Sequence, residues 1–197
     1  MWSRNGTDLT DKFPDVRKAL DAQLERDCVL DGELVVWNGR LDFGTLQQRM
    51  INSAATIRRQ LAPKWPASYV AFDVLGIDRA DIRMMRLSDR QRRLSSFAKA
   101  WRPPLQVSPV TDDPDEAREW LDAFSYSGVE GLVVKGAGTR YQPGRREWVK
   151  VNSVGVLCVR SHLARGVERG QRAVRCSRTV RDGCHGGEAP STSQPRE

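Results

Sequence analysis

The stretch "YSGVEGLVVKG", residues 126–136, is typical of a buried β-strand, except that Glu130 interrupts its apolar run. Side chains alternate along a strand, so we predict that Glu130 shares a face with Leu132 and Val134. Lys135 is predicted on the opposite face, where it cannot neutralise Glu130 directly. An ionised carboxylate on an apolar face is costly without a partner. The sequence therefore predicts a cation or a hydrogen-bond donor from elsewhere in the chain.

The segments around this stretch predict a mixture of helices and strands. Pro14 and apolar residues at four-residue spacing predict a helix over residues 14–26. Asn38-Gly39 predicts a tight hairpin turn. Because no strict β-α-β alternation is present, we predict an α+β fold with largely antiparallel sheets. The other predicted strands are 28–37, 69–77, 105–110, 129–135 and 147–151; the other predicted helices are 43–50, 53–62 before Pro63, 88–97 capped by Ser88, and one opened by Asp113-Pro114.

Composition excludes several classes of protein. With 197 residues and 39% hydrophobic content, the chain suits one globular domain with a real core. No apolar run approaches the roughly 20 residues of a membrane span, and no secretory leader is recognisable, so we expect a cytoplasmic protein. The four cysteines form no C-x-x-C pair, so neither a disulfide framework nor a zinc site is predicted.

The charge of the chain is unevenly distributed. The formal net charge of +7 favours polyanionic partners such as nucleic acid or nucleotides. Residues 152–197 contain eight arginines against four acidic residues, and the composition changes abruptly after Val151. We predict a basic tail over 152–197 that is disordered or arises from a shifted reading frame. A nucleic-acid-binding arm is the alternative interpretation.

Five motifs occur in an order that resembles the ATP-dependent DNA ligases. They are "SRNGTDLT" with "FP", "LDGELVVW" followed by "GRLDFGTLQQR", "AFDVL" followed by "RLSDRQRRL", "GVEGLVVKG", and "EWVKV". One such motif alone is weak, but five in order are highly specific. The resemblance covers residues 1–151.

The resemblance implies a fold and a chemistry. The fold is a nucleotidyltransferase adenylation domain, ATP-grasp-like, with antiparallel sheets and flanking helices around an ATP pocket. The chemistry is transfer of AMP to a lysine, then to the 5′-phosphate of nicked double-stranded DNA, as in repair or recombination. Each step is attack on phosphorus, where catalysis is mainly positioning and charge neutralisation. ATP and Mg²⁺ are the implied cofactors.

Four residues are implied to bind the nucleotide. Glu33 matches the sugar-binding glutamate, with a surface glutamate on an edge strand as the alternative. Phe72, predicted between Val70 and Val74 on one strand face, matches the aromatic that stacks on adenine, although such an aromatic is more often plain core. Glu130 matches the glutamate that helps to hold a divalent metal, and a salt bridge to a neighbouring strand is the alternative. Lys150 matches the contact to the α-phosphate.

Two further positions bear on DNA and on charge. Arg4 in "SRNG" resembles the arginine that engages the nick 5′-phosphate, with a solvated arginine as the alternative. The family pattern usually has a second basic residue two positions after Lys150, but this chain has Asn152 there. An amide donates a hydrogen bond without adding positive charge. Lys135 is expected to support the pocket from the other strand face or to be exposed.

The family's K-x-D-G-x-R motif, which carries the lysine nucleophile, is missing from this sequence. That motif normally precedes "WSRNG", and the chain begins at Met1-Trp2. Residues 152–197 also lack the alternating pattern of an OB-fold domain. We therefore expect an incomplete adenylation domain, truncated at both ends, that cannot form its own lysyl adenylate. Lys12 and Lys18 have no context that suits a nucleophile.

Three functional hypotheses follow. The first is an ATP-dependent DNA ligase homologue that is inactive alone. The second is a non-catalytic module that binds ATP or nicked DNA, and the third is a degenerate gene product. RNA ligases and capping guanylyltransferases share the general chemistry, but "SRNG" and "AFDVL" resemble DNA ligases more.

Overall fold

The computed structural model describes residues 1–144, 148–152 and 173–177. These residues form a six-stranded sheet, a separate two-stranded sheet and flanking helices. Every described strand pair is antiparallel except one. The predicted α+β class with largely antiparallel sheets is therefore confirmed.

The described strands are β1 Trp2–Ser3, β2 Cys28–Val36, β3 Ala67–Ile77, β4 Ala80–Asp81, β5 Leu105–Val107, β6 Gly131–Val134, β7 Val149–Asn152 and β8 Ala173–Ser177. The larger sheet has the strand order β1-β8-β2-β3-β4, and β5 pairs in parallel with β3. The smaller sheet consists of β6 and β7.

Helix α1, Pro14–Gln23, packs on one face of the larger sheet. Its buried residues Val16, Ala19 and Leu20 follow the helical period that the sequence shows. They belong to one apolar cluster with side chains from β2 and β3, among them the fully buried Leu30. The hydrophobic core therefore lies between this sheet face and α1, which leaves the opposite face of β2 and β3 for other contacts.

Gly32 allows β2 and β3 to approach closely. A Cβ atom built on Gly32 would lie 2.5 Å from the carbonyl oxygen of Val70 and 2.6 Å from the Tyr69 ring. Real Cβ atoms do not tolerate such distances, so any larger residue would push the two strands apart. This close approach of the two strands explains why β2 has a glycine at position 32.

The β2–β3 pairing contains two irregularities. In the register, Asp31 pairs with Asp73 and Gly32 pairs with Ala71, so Phe72 has no partner. An unpaired residue of this kind is a β-bulge, which re-aims the neighbouring side chains. Val74 is fully buried in the core, whereas Phe72 is half-buried. The predicted shared face of Phe72 and Val74 is therefore wrong, because the bulge breaks the alternation.

The helices follow the predictions closely, with two corrections. The helix expected to end before Pro63 continues through it, since a π-helical segment links the two short helices on either side. Ser88 does not cap the next helix, whose N-cap is Arg86 without a side-chain hydrogen bond. Asp113 caps the helix that begins at Pro114, as predicted, and its side chain accepts a hydrogen bond from the Asp115 amide. These elements are α2 Phe43–Ile51, α3 Ala54–Thr56, the π-helix Ile57–Leu61, α4 Ala62–Lys64, α5 Leu87–Phe97 and α6 Pro114–Ser125, with 3₁₀ turns at Thr10–Lys12 and Ala98–Ala100.

Within the predicted tail, the structure describes Asn152, at the end of β7, and the strand β8. The backbone of β8 pairs antiparallel with β1 on one side and with Val29–Glu33 of β2 on the other. The rest of the tail, 153–172 and 178–197, lies outside the described residues, so the division of the chain at Val151 stays a prediction. Cys28 is buried in the core and forms no disulfide with another described residue.

None of the helices in the described part of the chain has both the length and the apolar character that crossing a membrane requires.

Candidate nucleotide site

A single cavity is lined by residues of both sheets. Its walls include the five residues singled out in the sequence, together with Lys135 and Trp148. Residues up to 146 positions apart in the sequence therefore line the same cavity. The five are Arg4, Glu33, Phe72, Glu130 and Lys150.

Three charged side chains interact in this cavity. The Lys150 ammonium on β7 donates to Glu130 Oε2 at 2.7 Å. Burial raises the pKa of the Glu33 carboxyl, the negative charge of Glu130 raises it further, and the positive charge of Lys150 opposes both effects. The charges of Glu130 and Lys150 therefore both act on the Glu33 carboxyl. The partner expected for Glu130 from elsewhere in the chain is Lys150.

The Glu130–Lys150 pair is open to solvent. The side chain of Glu130 is 69% exposed and that of Lys150 is 36% exposed. Glu130 lies immediately before β6, and Lys150 is opposite Val133 in the adjacent strand. The alternative role of Glu130, a salt bridge to a neighbouring strand, is therefore present in the structure. An exposed pair of this type contributes at most about 1 kcal/mol, so a ligand can replace it at low cost.

An aromatic pair lies in the same cavity. The rings of Phe72 and Trp148 meet edge to face, with centroids 6.3 Å apart. The Lys135 ammonium lies 4.4 Å from the centroid of Phe72 and 4.0 Å from that of Trp148. Lys135 is thus a half-buried member of the cavity wall, so the alternative prediction that it is exposed is wrong. Burial lowers the pKa of its ammonium.

Arg4 lies in a tight turn directly after β1. The turn is closed by hydrogen bonds from Gly6 and Thr7 to Ser3, and Gly6 has a positive φ of 76°. A glycine adopts this conformation without strain. The turn holds Arg4 at the edge of the cavity with its side chain exposed, where a guanidinium can meet a phosphate that approaches from solvent.

A buried polar group lies behind Phe72. Asp73 accepts hydrogen bonds from Arg90 Nε at 2.9 Å and from Arg90 Nη2 at 2.8 Å. Its register partner Asp31 lies inside β2, is buried, and accepts from the Tyr141 hydroxyl at 3.0 Å. Both carboxylates interrupt the apolar patterns of their strands in the sequence, as Glu130 interrupts its own.

The described residues contain no group of three or more metal-ligating side chains. Magnesium nevertheless requires only one or two protein carboxylates when a nucleotide and water supply the other oxygen ligands. Glu130 and Glu33 are close enough for the charge of one to raise the pKa of the other. This unfavourable proximity fits a divalent cation, which would relieve it.

Comparison with known proteins identifies the family of the chain. The family model described as "ATP dependent DNA ligase domain" matches residues 1–152. DNA ligase C1 of Mycolicibacterium smegmatis is 36% identical over 158 residues, covering 77% of this chain and 44% of the relative. DNA ligase C of Mycobacterium tuberculosis is 36% identical over 157 residues, covering 77% and 43%. The chain thus spans less than half the length of these relatives.

Two solved structures share the fold. The ligase domain of M. tuberculosis LigD superimposes with a TM-score of 0.57 at 28% identity, covering 77% of this chain and 46% of that one. A mycobacterial DNA ligase D complexed with ATP and MES gives a TM-score of 0.55 at 29% identity, covering 76% and 46%. The predicted nucleotidyltransferase fold agrees with both. The chain therefore belongs to the ATP-dependent DNA ligase family and is a homologue of its adenylation domain.

Proposed function

We propose that this chain binds Mg·ATP in the cavity between its two sheets, as part of an ATP-dependent nick-sealing activity on DNA. The observation that carries the proposal is that one cavity is lined by Glu33, Phe72, Glu130 and Lys150. These side chains supply an aromatic platform, carboxylates and a cation. A nucleoside triphosphate is the ligand that needs all three.

Each residue has a role that its surroundings support. Phe72, aimed by the bulge in β3, would stack on adenine, and Glu33 would accept hydrogen bonds from the ribose hydroxyls. Lys150 would leave Glu130 and donate to the α-phosphate. A bound magnesium ion would supply positive charge beside the phosphates, and Glu130 would be its protein ligand. Arg4, at the cavity edge, would engage the 5′-phosphate of nicked double-stranded DNA.

The proposal includes a limit on activity. The sequence contains no K-x-D-G-x-R motif, so we expect that the chain as it stands does not form a lysyl adenylate. In that case its own activity is binding, which is the non-catalytic alternative. The cytoplasmic location, and a place in repair or recombination, belong to the same proposal.

Nucleotide binding is tested with a matched pair of variants. Phe72→Leu removes the stacking ring, whereas Phe97→Leu removes a ring that lies outside the cavity and meets Trp101. Loss of stacking is expected to weaken Mg·ATP binding by about 1–3 kcal/mol, or about 5- to 150-fold. Phe97→Leu should leave the Kd unchanged. Equal Kd values for Phe72→Leu and wild type would contradict the assignment of the adenine platform.

Labelled ATP separates binding from chemistry. The chain is incubated with magnesium and ATP labelled in the α-phosphate, and the protein is then precipitated in acid. The proposal predicts bound nucleotide at equilibrium but no acid-stable label. Acid-stable label would show a nucleophile in this chain. Absence of any equilibrium binding of ATP or DNA would leave the degenerate gene product as the remaining hypothesis.

The role of Arg4 is tested on two nicked duplexes, one with a 5′-phosphate and one with a 5′-hydroxyl at the nick. Removing any arginine weakens DNA binding through charge alone, so the informative quantity is the ratio of the two affinities. Arg4→Ala should abolish the preference for the phosphorylated nick. Arg58→Ala, an exposed arginine away from the cavity, should retain it.

A further inference from the structure

Lys135 joins the two aromatic side chains of the cavity into one unit. Its ammonium lies within cation–π distance of both the Phe72 and the Trp148 rings, which stand at 88° to each other. A cation within roughly 6 Å of a ring centroid is attracted by the ring's quadrupole. One ammonium therefore stabilises both rings in their perpendicular arrangement.

The charged neighbours of Lys135 distinguish it from Lys150. The carboxylates that favour its charged form are Asp73 and Asp31, and the opposing cation is Arg90. Lys150 instead pairs with Glu130 and acts on Glu33. We name these two groups of cavity residues the base end, with Phe72, Trp148 and Lys135, and the phosphate end, with Glu130 and Lys150.

The carboxylates near Lys135 are already engaged by other groups. Asp73 is held by Arg90 in a two-pronged ion pair, and Asp31 accepts from Tyr141. Among the described residues, no carboxylate lies within hydrogen-bonding distance of the Lys135 ammonium, whose close contacts are the two rings. Burial opposes its charge, so the rings supply part of the compensation.

We propose that Lys135 is a positioning residue for the base end of the cavity. Its ammonium fixes the orientation of Phe72 and Trp148, so that Phe72 presents a preformed ring to the purine base. A platform that is ordered before binding avoids the entropic cost of ordering a mobile side chain on binding. This inference rests on the proposed function, because it requires that the cavity binds ATP.

Three variants separate positioning from charge and from general packing. Lys135→Met keeps the length of the side chain but removes its charge, whereas Lys135→Arg keeps a cation that packs on aromatic rings. Lys64→Met is the matched control. The Lys64 ammonium lies 4.3 Å from the Trp65 ring, in a cation–π contact whose residues do not line the cavity.

The readout is the Kd of two ligands, Mg·ATP and inorganic tripolyphosphate, which has no base. Lys135→Met should bind Mg·ATP about tenfold more weakly, the range of one desolvated cation–π contact. Its Kd for tripolyphosphate should stay within about twofold of wild type, since the phosphate end is intact. Lys135→Arg should restore most of the ATP affinity, and Lys64→Met should match wild type.

Several outcomes would overturn the inference. Equal losses for both ligands would make Lys135 a phosphate-binding cation, and no loss for either would deny it a role. If Lys135→Met does not fold, Lys135→Arg carries the test, and a loss of ATP affinity there with tripolyphosphate unchanged contradicts charge-based positioning. Failure of the wild-type chain to bind ATP overturns the proposed function itself. ATP binding by wild type with no effect of Lys135→Met overturns this inference alone.

Discussion

Two carboxylate–cation pairs of the molecule, one buried and one open to solvent, differ in almost every physical respect. Arg90 and Asp73 are 1% and 0% exposed and share two hydrogen bonds, and Arg90 also donates to the Met85 carbonyl. Lys150 and Glu130 share one hydrogen bond and are 36% and 69% exposed. The buried pair has no place for a ligand. The open pair can exchange its partners for a phosphate and a metal ion.

The difference indicates which pair stabilises the fold and which pair is available to bind a ligand. Removing one member of a buried pair leaves an uncompensated charge in a low-dielectric interior, which is strongly destabilising. Removing one member of an exposed pair costs little, because water replaces the lost partner. We therefore assign the Arg90–Asp73 pair to the fold, supporting β3 behind Phe72, and the Glu130–Lys150 pair to the site.

The largest expected effect comes from breaking the buried pair. Asp73→Ala should lower the free energy of unfolding by about 3–5 kcal/mol, because the Arg90 guanidinium loses its counter-charge. Asp81→Ala is the matched control. Asp81 lies on the neighbouring strand β4 and forms an exposed ion pair with Arg83. The cost of Asp81→Ala should be far smaller than that of Asp73→Ala, because water replaces the lost partner. Urea denaturation measures both, and similar losses for the two variants would remove the distinction.

A methyl group at Gly32 is expected to have the next largest effect. Gly32→Ala places a Cβ atom against the Val70 carbonyl and the Tyr69 ring, and such overpacking typically costs about 1–3 kcal/mol. Because the strain lies between Asp31 and Glu33, ATP affinity should fall as well. Gly138→Ala, where nothing lies within 4 Å of the added atom, is the control. Unchanged stability of Gly32→Ala in urea would contradict the close strand approach.

The open pair should behave in the opposite way. Glu130→Gln is expected to change the free energy of unfolding by less than about 1 kcal/mol. Its affinity for Mg·ATP should fall about tenfold or more, because an amide is a poor ligand for magnesium. Glu25→Gln, an exposed glutamate outside the cavity, should change neither quantity. A large loss of stability without loss of binding would reassign Glu130 to the fold.

The smallest expected effect is a pH dependence at Glu33. Its folded-state pKa is raised, first by burial and then by the charge of Glu130. The contribution of the Glu33 carboxyl to the free energy of unfolding is therefore fully present below its pKa in the unfolded chain. It is lost as the pH rises through its pKa in the folded protein. Glu33→Gln removes that loss, so its stability relative to wild type should be higher at pH 8 than at pH 4. Urea denaturation at both pH values tests the sign.

Much of the secondary structure could be predicted, because it depends on local patterns. The Pro14 helix, the two long strands and the Asp113 cap follow from spacing and capping chemistry. The order of five motifs indicated the family as well as the candidate nucleotide site. Glu130 was predicted to need a cation from another part of the chain, and Lys150 provides it.

Features that depend on tertiary contacts could not be predicted. The bulge at Phe72 arises from the register between β2 and β3, which strict alternation does not reveal. The contact of Lys135 with Phe72 and Trp148 joins residues from separate segments. The position of β8 between β1 and β2 is likewise a long-range pairing, in a segment whose sequence has no strand pattern.

The most direct test of the open pair as a binding site is a calorimetric titration with Mg·ATP of wild type and Lys150→Met, each checked for stability in urea. We expect saturable heat for wild type. For Lys150→Met we expect unchanged stability and an affinity about tenfold or more lower, the cost of one charge-assisted hydrogen bond. Absence of heat from wild type at millimolar nucleotide, or equal affinities of the two proteins, would contradict the account.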